Sequence, residues 1–329
     1  MDKLLRKMYG LNVTGLERSA NGAGSETFFA DSDEGKFVVK FPSISEMNDP
    51  CAEPALCEYL QNKGVSVCRF VKNKNGEYIS TDEKGRLFHV QEYIQGQVFD
   101  WNTAPPSILL DSAETLGRIH AAMKNYIGLK AGIGEDFFRY MTLENALCSY
   151  ERTLKIAEAR RDEKTAGELR FRIEMIKRFP SFTFELDRLT LTPTHGDYFI
   201  SQLICSEDRI NAVIDWTTAC VHPAVWEIVR SYVYAAPECA RGEISPEGLK
   251  DYFSGYLSFS ALNEYDIKMS VRLFYYQLAV CDYYAQYYAS EACHSVIYLR
   301  QAELSTALLR WLEKNADMLT EHLEKNLRS

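Results

Sequence analysis

Several features that would define a class of protein are missing from this sequence of 329 residues. No window holds 18 uninterrupted apolar residues and residues 1–8 lack the apolar stretch of a signal peptide, so we expect neither a membrane span nor secretion. The nine cysteines are scattered without a Cys-x-x-Cys pair, which disfavours zinc sites and disulfide frameworks and favours free thiols in a reducing cytoplasm. The formal net charge of −9 argues against nucleic-acid binding, which requires basic surface.

What is present is ordinary globular material arranged in two parts. Hydrophobic residues make up 46% of the chain, enough for a substantial core, and the length suits two lobes. Strand patterns fill the chain up to residues 94–97, and helical patterns follow from residue 105. We therefore predict an α+β protein, with a nucleotide-binding lobe at 1–95, built on an antiparallel sheet and one main helix, and a larger helical lobe at 96–329.

The first lobe contains a lysine that a strand would not bury without a partner. Lys40 lies inside the apolar strand Lys36–Phe41, and a buried charge is costly unless a counter-ion or ligand compensates it. The hairpin before this strand, residues 19–26, carries two glycines whose backbone N–H groups could approach an anion. An ordinary Asn-Gly turn and a lysine extended to water are the alternatives. Together the hairpin and Lys40 favour phosphate binding.

Other elements of the first lobe follow from periodicity. A helix is predicted over Glu46–Asn62, with Pro54 in its first turn, and either Glu53 or Glu58 could pair with Lys40. A solvated acidic face is the simpler interpretation of Glu58. Alternating and apolar runs predict about five strands in one sheet; the candidates are Val13–Arg18, Thr27–Ala30, Lys36–Phe41, Val65–Val71, Tyr78–Thr81 and Leu87–Ile94.

The helical lobe contains charged and aromatic stretches for which structural roles are the simpler interpretation. His120, on a helix over Ser107–Asn125, is expected to make a structural hydrogen bond. The charge run Glu158–Arg172 is typical of a solvated helix face, and the tyrosine-rich segment 275–288 of a packed core. Residues 296–327 are predicted to form a terminal helix pair.

One stretch of the helical lobe carries the groups that phosphoryl transfer needs. Asp197 follows a His-Gly turn, Gln202 comes five residues later, and Asp215 ends an apolar run. One carboxylate can orient a hydroxyl group, and an amide with a second carboxylate can hold a divalent metal ion.

Four motifs in this order resemble the aminoglycoside phosphotransferase/choline kinase family, small-molecule kinases whose fold is similar to that of protein kinases. They are QEYIQG at 91–96, LGRIH at 116–120, HGD at 195–197 and IDW at 214–216. The resemblance covers about residues 10–290. It implies Asp197 as the catalytic base, His195 shaping the catalytic turn, and Asp215 with Gln202 as ligands of Mg²⁺.

The same resemblance implies how ATP is held. Lys40, supported by Glu53, would contact the phosphates. The remaining nucleotide contacts would come from the glycine hairpin and from the connection between the lobes: Gly22, Gly24 and Ser25 over the phosphates, and Gln91, Glu92 and Tyr93 along the adenine.

One position departs from the family pattern. Gln202 stands where the family has asparagine, and its extra methylene moves the amide oxygen by about 1.5 Å. The expected protein is an ATP-dependent phosphotransferase acting on a hydroxyl group of a choline-, aminoglycoside-, homoserine- or sugar-like molecule, as a monomer or homodimer. A nucleotide-binding relative without turnover and a protein Ser/Thr kinase are the alternatives, and the preference for ATP over GTP is open.

Overall fold

The computed structural model describes residues 1–19, 25–42 and 49–327. The predicted phosphate-binding residues Gly22 and Gly24 and the predicted helix start at Glu46 lie outside these ranges. In chain order the elements are α1 (Asp2–Met8), β1 (Val13–Arg18), β2 (Ser25–Ser32), β3 (Gly35–Pro42), α2 (Ala52–Asn62), β4 (Phe70–Val71), β5 (Ile79–Thr81), β6 (Leu87–Glu92), α3 (Pro106–Met123), α4 (Glu135–Tyr140), α5 (Leu143–Ala159), α6 (Glu163–Lys177), β7 (Leu191–Thr194), β8 (Leu203–Cys205), β9 (Ile210–Val213), β10 (Cys220–Pro223), α7 (Ala224–Ala235), α8 (Pro246–Leu257), α9 (Glu264–Val280), α10 (Tyr283–Ala289) and α11 (Ala292–Asn326).

Internal contacts divide the chain into two compact units. The first unit comprises Met1–Val98 together with Gln202–Ala219, and the second comprises Phe99–Ser201 together with Cys220–Ser329. The sequence places residues 202–219 in the helical lobe, whereas their contacts join them to the sheet-containing unit. This segment brings Gln202 and Asp215 into the same unit as Lys40.

The first unit is built on an antiparallel sheet, as predicted. Its described strands number six rather than about five, in the order β1-β2-β3-β6-β4, with β5 also paired to β6. Alternation along β3 sends Phe37, Val39 and Phe41 into a core that also contains Leu5 of α1. Because successive side chains of a strand point to opposite faces, Lys40 lies on the other face of the sheet.

Two boundaries in the first unit differ from the prediction. Only Phe70–Val71 of the predicted strand Val65–Val71 joins the sheet, while Val67 makes an isolated parallel bridge to Val213. The main helix begins at Ala52, which places Glu53 and Pro54 in its first turn, as the sequence predicts. Proline is tolerated there because the N–H groups of a first turn have no partner within the helix.

The second unit is mainly helical, which confirms the predicted fold class. Its described strands β7 and β10 pair antiparallel, with Thr194 opposite Cys220, and this ladder leads directly into the His-Gly turn. Every residue of the following helix α7 is buried. The helix packs against α3, α8 and α9, so any polar side chain on it must find its partners inside the unit.

Two predictions for the second unit are wrong. The chain ends in one continuous helix, α11, rather than in a helix pair. Arg172, assigned to a solvated charge run, is 1% exposed and donates hydrogen bonds to the Tyr150 hydroxyl at 2.7 Å and to Leu278 O at 3.0 Å. Helical periodicity turns Arg172 inward together with the uncharged Thr165, Ala166 and Leu169, and hydroxyl and carbonyl oxygens take up its donors.

Other expectations can be compared with the described chain. The eight cysteines whose side chains the structure describes are free. Searched over these same residues, no helix combines the length and the apolar content that crossing a bilayer requires. The Glu58 side chain is 53% exposed, which confirms its place on a solvated face.

Candidate functional site

The sheet-containing unit carries a half-buried ion pair between two of the predicted site residues. Lys40 Nζ donates to Asp215 Oδ1 at 2.8 Å, with side-chain exposures of 14% for the lysine and 35% for the aspartate. Burial alone would lower the pKa of Lys40, but the charges of Asp215 and Glu53 raise it above its usual value. The lysine is therefore a cation whose compensating partner is the predicted metal ligand, 175 residues away in the chain.

The predicted partner of Lys40 is engaged elsewhere. Glu53 Oε1 accepts the backbone N–H of Trp216 at 3.0 Å, whereas among the ion pairs of the described residues none within 4.0 Å joins Glu53 to Lys40. Its other oxygen, Oε2, is buried without a hydrogen-bond partner in the described chain. Burial raises the pKa of Glu53, and the nearby Lys40 only partly opposes the effect. Glu53 thus fixes the turn after Asp215 rather than the lysine itself.

Asp215 and Gln202 flank the same end of the β8–β9 hairpin. Leu203 pairs with Val213, and the N–H of Ile214 donates to Gln202 O at 3.0 Å. The two predicted metal ligands therefore lie at adjacent ends of the two paired strands. Asp215 has a left-handed backbone, with φ of 64°, which costs a non-glycine residue on the order of 1 kcal/mol. Its Oδ1 also accepts from the Thr217 hydroxyl at 3.0 Å.

These two residues fit a hard cation that takes its other ligands from phosphate and water. A carboxylate and an amide both offer oxygen, the ligand atom that Mg²⁺ prefers. Among the described residues, no hydrogen bond occupies the side-chain amide of Gln202. The described chain holds no cluster of three His, Cys, Asp or Glu side chains that could bind a metal ion by themselves. A complete site would therefore need a ligand-borne oxygen.

A neutral histidine lies beside Lys40 in the sheet. His89 of β6 is opposite Lys40 of β3 and is 1% exposed. Burial, together with the charge of Lys40, lowers the pKa of His89 to about 3. Its Nε2 lies 3.3 Å from Nε2 of Gln91, one of the predicted adenine-site residues. The imidazole therefore adds no second positive charge to the Lys40–Asp215 pair.

The predicted adenine segment has most of its backbone donors already used. The N–H of Glu92 donates to Arg69 O at 2.9 Å, and that of Tyr93 donates to Lys36 O at 3.0 Å. The next N–H along the chain, that of Ile94, has no backbone partner within the described residues. Ile94 was missed by the sequence reasoning, since strand periodicity does not show where a ladder of hydrogen bonds ends.

Ser25 lies at the first position of β2, next to the hairpin segment that is outside the described residues. Its hydroxyl lies 3.4 Å from the Thr27 hydroxyl, and Thr27 is opposite Lys40 in the sheet register. The sheet thus places Ser25 two residues from the position facing Lys40. The predicted roles of Gly22 and Gly24 remain predictions.

The helical unit carries the predicted catalytic base on the turn that follows β7. Gly196 has φ of 82°, a left-handed conformation that glycine adopts without strain, and Asp197 comes next. The His195 side chain is fully buried, and its Nδ1 accepts the N–H of Asp197 at 3.3 Å. His195 is thereby placed to shape this turn, with its ring directed at the backbone.

A buried glutamate on α7 anchors the turn. Glu227 Oε1 accepts the N–H of Gly196 at 2.6 Å, and Oε2 accepts the N–H of His195 at 3.3 Å and Nε2–H of His120 at 2.8 Å. Burial would raise the pKa of Glu227, but the hydrogen bond and charge of His120 lower it below its usual value. His120 Nδ1 in turn lies 2.9 Å from the Tyr256 hydroxyl, which confirms the structural role predicted for this histidine.

An arginine from the same helix holds the predicted base. Arg230 Nη2 donates to Asp197 Oδ1 at 2.8 Å. Burial lowers the pKa of Arg230, and the charge of Asp197 raises it further than burial lowers it. The arrangement leaves one carboxylate oxygen in a charge-assisted bond. Among the hydrogen bonds of the described residues, none reaches the other oxygen of Asp197.

Glu227 and Arg230 were missed by the sequence reasoning, although a signal was present. They stand three residues apart in an otherwise apolar helix, Ala224–Ala235, so helical spacing puts both on one face. Two opposite charges on a buried helix require buried partners. Those partners, the His-Gly turn and Asp197, come from residues 31 to 33 positions earlier, which periodicity alone does not connect.

Comparison with known proteins gives one family. A model of the phosphotransferase enzyme family, APH, matches residues 15–265 of the chain. No curated protein matches the chain by sequence.

Solved structures share the fold at low sequence identity. An amicoumacin kinase in complex with AMP-PNP, Ca²⁺ and Ami has a TM-score of 0.64 and 13% identity, over 92% of this chain and 91% of that one. A spectinomycin phosphotransferase in complex with ADP and spectinomycin has a TM-score of 0.58 and 12% identity, over 98% of both chains. A choline kinase from Cryptosporidium parvum Iowa II has a TM-score of 0.54 and 14% identity, over 98% and 97%.

Proposed function

The chain belongs to the phosphotransferase enzyme family, kinases that transfer phosphate to hydroxyl-bearing small molecules, and we propose that it moves the γ-phosphate of ATP to such an acceptor with Asp197 as the base. The observation that carries the proposal is the half-buried pair between Lys40 and Asp215. The backbone of Asp215 is strained and both charges lose part of their hydration, and both effects cost free energy, so the pair is better explained by a function than by stability.

Each predicted nucleotide residue has a place in this scheme. Lys40 binds the α- and β-phosphates, and Gly22, Gly24 and Ser25 contribute further phosphate contacts. Gln91, Glu92 and Tyr93 line the adenine, and we add the N–H of Ile94 as the donor that the sheet leaves available. Residues 1–95 then form the nucleotide-binding lobe and residues 96–329 the catalytic and substrate-binding lobe.

The metal ligands of the proposal are Asp215 and Gln202. Mg²⁺ held there would neutralise charge on the ATP phosphates, which is the main electrostatic requirement of phosphoryl transfer. Glu53 and Thr217 keep Asp215 in its left-handed turn through the Trp216 N–H and the Asp215 carboxylate. This chain's own contribution is thus to fix the carboxylate before the metal and nucleotide arrive.

The chemical step belongs to Asp197. Its free oxygen, Oδ2, accepts the proton of the acceptor hydroxyl while the hydroxyl oxygen of the acceptor forms a bond to the γ-phosphorus. The bond between the γ-phosphorus and the bridging oxygen of ADP breaks in the same step, and ADP leaves with the electron pair. His195 and Glu227 hold the turn in place, so catalysis consists mainly of positioning.

The acceptor is a small hydroxyl compound of the choline, aminoglycoside, homoserine or sugar type. The structural relatives named above act on amicoumacin, spectinomycin and choline by their names, which supports a small molecule without choosing among these classes. A screen of ATP consumption over alcohols, amino alcohols, sugars and aminoglycosides identifies the class.

Replacement of Asp197 tests the mechanism. We expect Asp197→Asn to lower acceptor-dependent ADP formation by roughly 10²- to 10⁴-fold while nucleotide affinity, measured by calorimetry with Mg-ATP, stays unchanged. Lys40→Met should instead weaken nucleotide binding. Asp208→Asn, at an exposed position of the β8–β9 turn, is the matched control. Undiminished transfer by Asp197→Asn would exclude Asp197 as the base.

The alternative of a nucleotide-binding protein without turnover makes a different prediction. Gln202 motivates it, because an amide displaced by a methylene can bind the metal in an unproductive geometry. Tight Mg-ATP binding with no ADP formed on any acceptor of the screen would favour this alternative.

A further inference from the structure

A buried arginine beside the predicted base is placed to orient the carboxylate of that base. Resting on the proposed function of Asp197, we propose that Arg230 is a positioning residue, which holds Asp197 Oδ1 so that Oδ2 faces the acceptor hydroxyl. The 2.8 Å bond between Arg230 Nη2 and Asp197 Oδ1 joins the two groups directly. A carboxylate held at one oxygen keeps one orientation, whereas a free side chain samples several rotamers.

Phe199, two residues after Asp197, stacks its ring against the guanidinium group of Arg230. The Arg230 guanidinium carbon lies 3.8 Å from the centre of the Phe199 ring, a stacking distance for a planar cation on an aromatic face. Phe199 is 4% exposed, and its N–H donates to Asp197 O at 2.8 Å. The ring is therefore tied to the same turn as the carboxylate that the arginine holds.

Two further aromatic rings restrict Arg230. The guanidinium carbon lies 5.1 Å from the Trp226 ring and 5.7 Å from the Tyr234 ring, both on α7. Tyr234 in turn packs against Phe199 with ring centres 4.2 Å apart. A side chain with several rotatable bonds is thus confined to one position before any acceptor binds, which is the condition for positioning a catalytic group.

The charge balance also points to a functional role. Asp197 is the counter-ion of Arg230 among the ion pairs of the described residues. Arg230 Nη1 is buried without a hydrogen-bond partner in the described chain. A pair selected for stability alone would satisfy this N–H, since an unmet buried donor costs about 1–3 kcal/mol. The arginine is retained at a cost that a well-packed apolar residue would avoid.

Bulky residues in the catalytic turn gain an explanation from this arrangement. The two residues after Asp197, Tyr198 and Phe199, have large aromatic side chains. Tyr198 donates its hydroxyl proton to Ser112 O at 3.1 Å and anchors the turn to α3. Phe199 supplies the face on which Arg230 stacks. Tyr198, Phe199 and Arg230 together fix the position of the Asp197 carboxylate.

Three variants of Arg230, to Met, Lys and Ala, separate positioning from a structural contribution. Arg230→Met keeps much of the apolar volume and removes the charge, and Arg230→Lys keeps the charge without the planar fork. We expect Arg230→Met to lower the kcat for transfer by roughly 10²-fold, with KM for ATP within about twofold of the wild type. Added guanidinium chloride at millimolar concentration should restore at least tenfold of the kcat lost in Arg230→Ala, and should not help Asp197→Asn.

The activity probes are Mg-ATP with the acceptor found by the screen and Mg-ATP alone, where water is the acceptor. A wild-type kcat in Arg230→Met, or a loss in Arg230→Ala that guanidinium does not reverse in the folded variant, would refute the proposal while the proposed function stands. Absence of wild-type turnover with both probes would instead contradict the proposed function.

An acceptor-independent measurement keeps the two failures distinct. In protein labelled with ¹⁵N-arginine, a held guanidinium should give slow rotation and slow hydrogen exchange, and Asp197→Asn should accelerate both for Arg230. Arg300→Lys, which removes a side chain 46% exposed and paired with Asp100, is the assignment control. An Arg230 signal that Asp197→Asn leaves unchanged would show that the bond does not hold the pair.

Discussion

Glu227 is the residue on which the geometry of the catalytic turn depends, so its replacement gives the sharpest prediction. Its two oxygens accept three hydrogen bonds, from the N–H groups of Gly196 and His195 and from His120. The side chain is 1% exposed, so water cannot take over these donors. The change Glu227→Gln keeps the shape and replaces one acceptor oxygen with a donor.

The expected magnitude follows from the number of bonds lost. If the amide oxygen keeps the Gly196 N–H, the amide nitrogen takes the place of Oε2, faces both the His195 N–H and His120 Nε2–H, and loses both bonds. Such bonds contribute about 1.5–3 kcal/mol each, so Glu227→Gln should lower the free energy of unfolding of the helical unit by about 3 kcal/mol. Glu227→Ala leaves three donors unpaired and should cost more.

Urea unfolding followed by tryptophan fluorescence measures this loss, because Trp226 is the neighbour of Glu227 in the chain. Glu243→Gln, at an exposed position, is the matched control. Since the turn carries Asp197, kcat should fall in Glu227→Gln even at temperatures where the variant is folded. A free energy of unfolding within about 0.5 kcal/mol of the wild type would refute the reasoning, because this is the range of surface substitutions.

Three further predictions concern the sheet-containing unit. His89 has a pKa of about 3 in the folded protein against 6.5 ordinarily, so its contribution to stability is complete above pH 6.5 and is lost as the pH falls towards 3. Between pH 7 and pH 5, protonation of His89 in the unfolded chain should lower the free energy of unfolding by about 2 kcal/mol. The variant His89→Gln should abolish this loss. Burial raises the pKa of Glu53, so the ionised carboxylate destabilises the fold at neutral pH. The variant Glu53→Gln keeps the acceptor for the Trp216 N–H and should raise the melting temperature at pH 8. The same variant should weaken nucleotide-dependent activity. Gln202→Asn shortens a side chain whose backbone is fixed by the Ile214 N–H, so the Mg²⁺ concentration needed for half-maximal nucleotide binding should rise several-fold.

Each of these predictions has a control and an outcome that contradicts it. For His89 the control is His294→Gln, and an unchanged pH slope in His89→Gln would contradict the assignment. For Glu53 it is the exposed Glu58→Gln, and a lower melting temperature in Glu53→Gln would mean that the carboxylate stabilises the fold. For Gln202, magnesium dependence equal to that of the wild type would remove this residue from the metal site.

Lys40 shows how far local sequence pattern reaches. Its place in an apolar strand indicated a partner, because burying a charge is costly. The pattern did not identify that partner. The residues left Glu53 and Glu58 open and the family resemblance favoured Glu53, thirteen positions away, whereas the structure pairs the lysine with Asp215, 175 positions away. A contact over that separation depends on how the β8–β9 hairpin packs, and periodicity holds no information about it.

Element boundaries were lost for a related reason. Residues 65–71 have strand composition, but Phe70–Val71 is the part that has a neighbour to pair with. Residues 292–326 form one helix, because the sequence contains no strong breaker there and tertiary packing against α9 and α10 supports its full length. Secondary-structure propensity shows which conformations a segment tolerates, and the packing of neighbouring elements decides which conformation it adopts.

Asp215 and Asp197, the proposed metal ligand and the proposed base, are held by the same two kinds of contact, each within its own unit. A basic side chain binds one carboxylate oxygen, Lys40 for Asp215 and Arg230 for Asp197, at 2.8 Å in both cases. A buried glutamate accepts the backbone N–H of the neighbouring residue, so that Glu53 holds Trp216 and Glu227 holds Gly196.

The two glutamates differ in how many donors they meet. Within the described residues Glu227 receives three hydrogen bonds and has a lowered pKa, whereas Glu53 accepts one, from the Trp216 N–H, leaves Oε2 without a partner and has a raised pKa. The turn that carries Asp197 is therefore built on a stable anchor, and the turn that carries Asp215 on a costly one. A turn whose anchor gains free energy when a ligand supplies the missing donor or charge becomes more ordered on binding, so nucleotide should stabilise the turn held by Glu53 more than the turn held by Glu227.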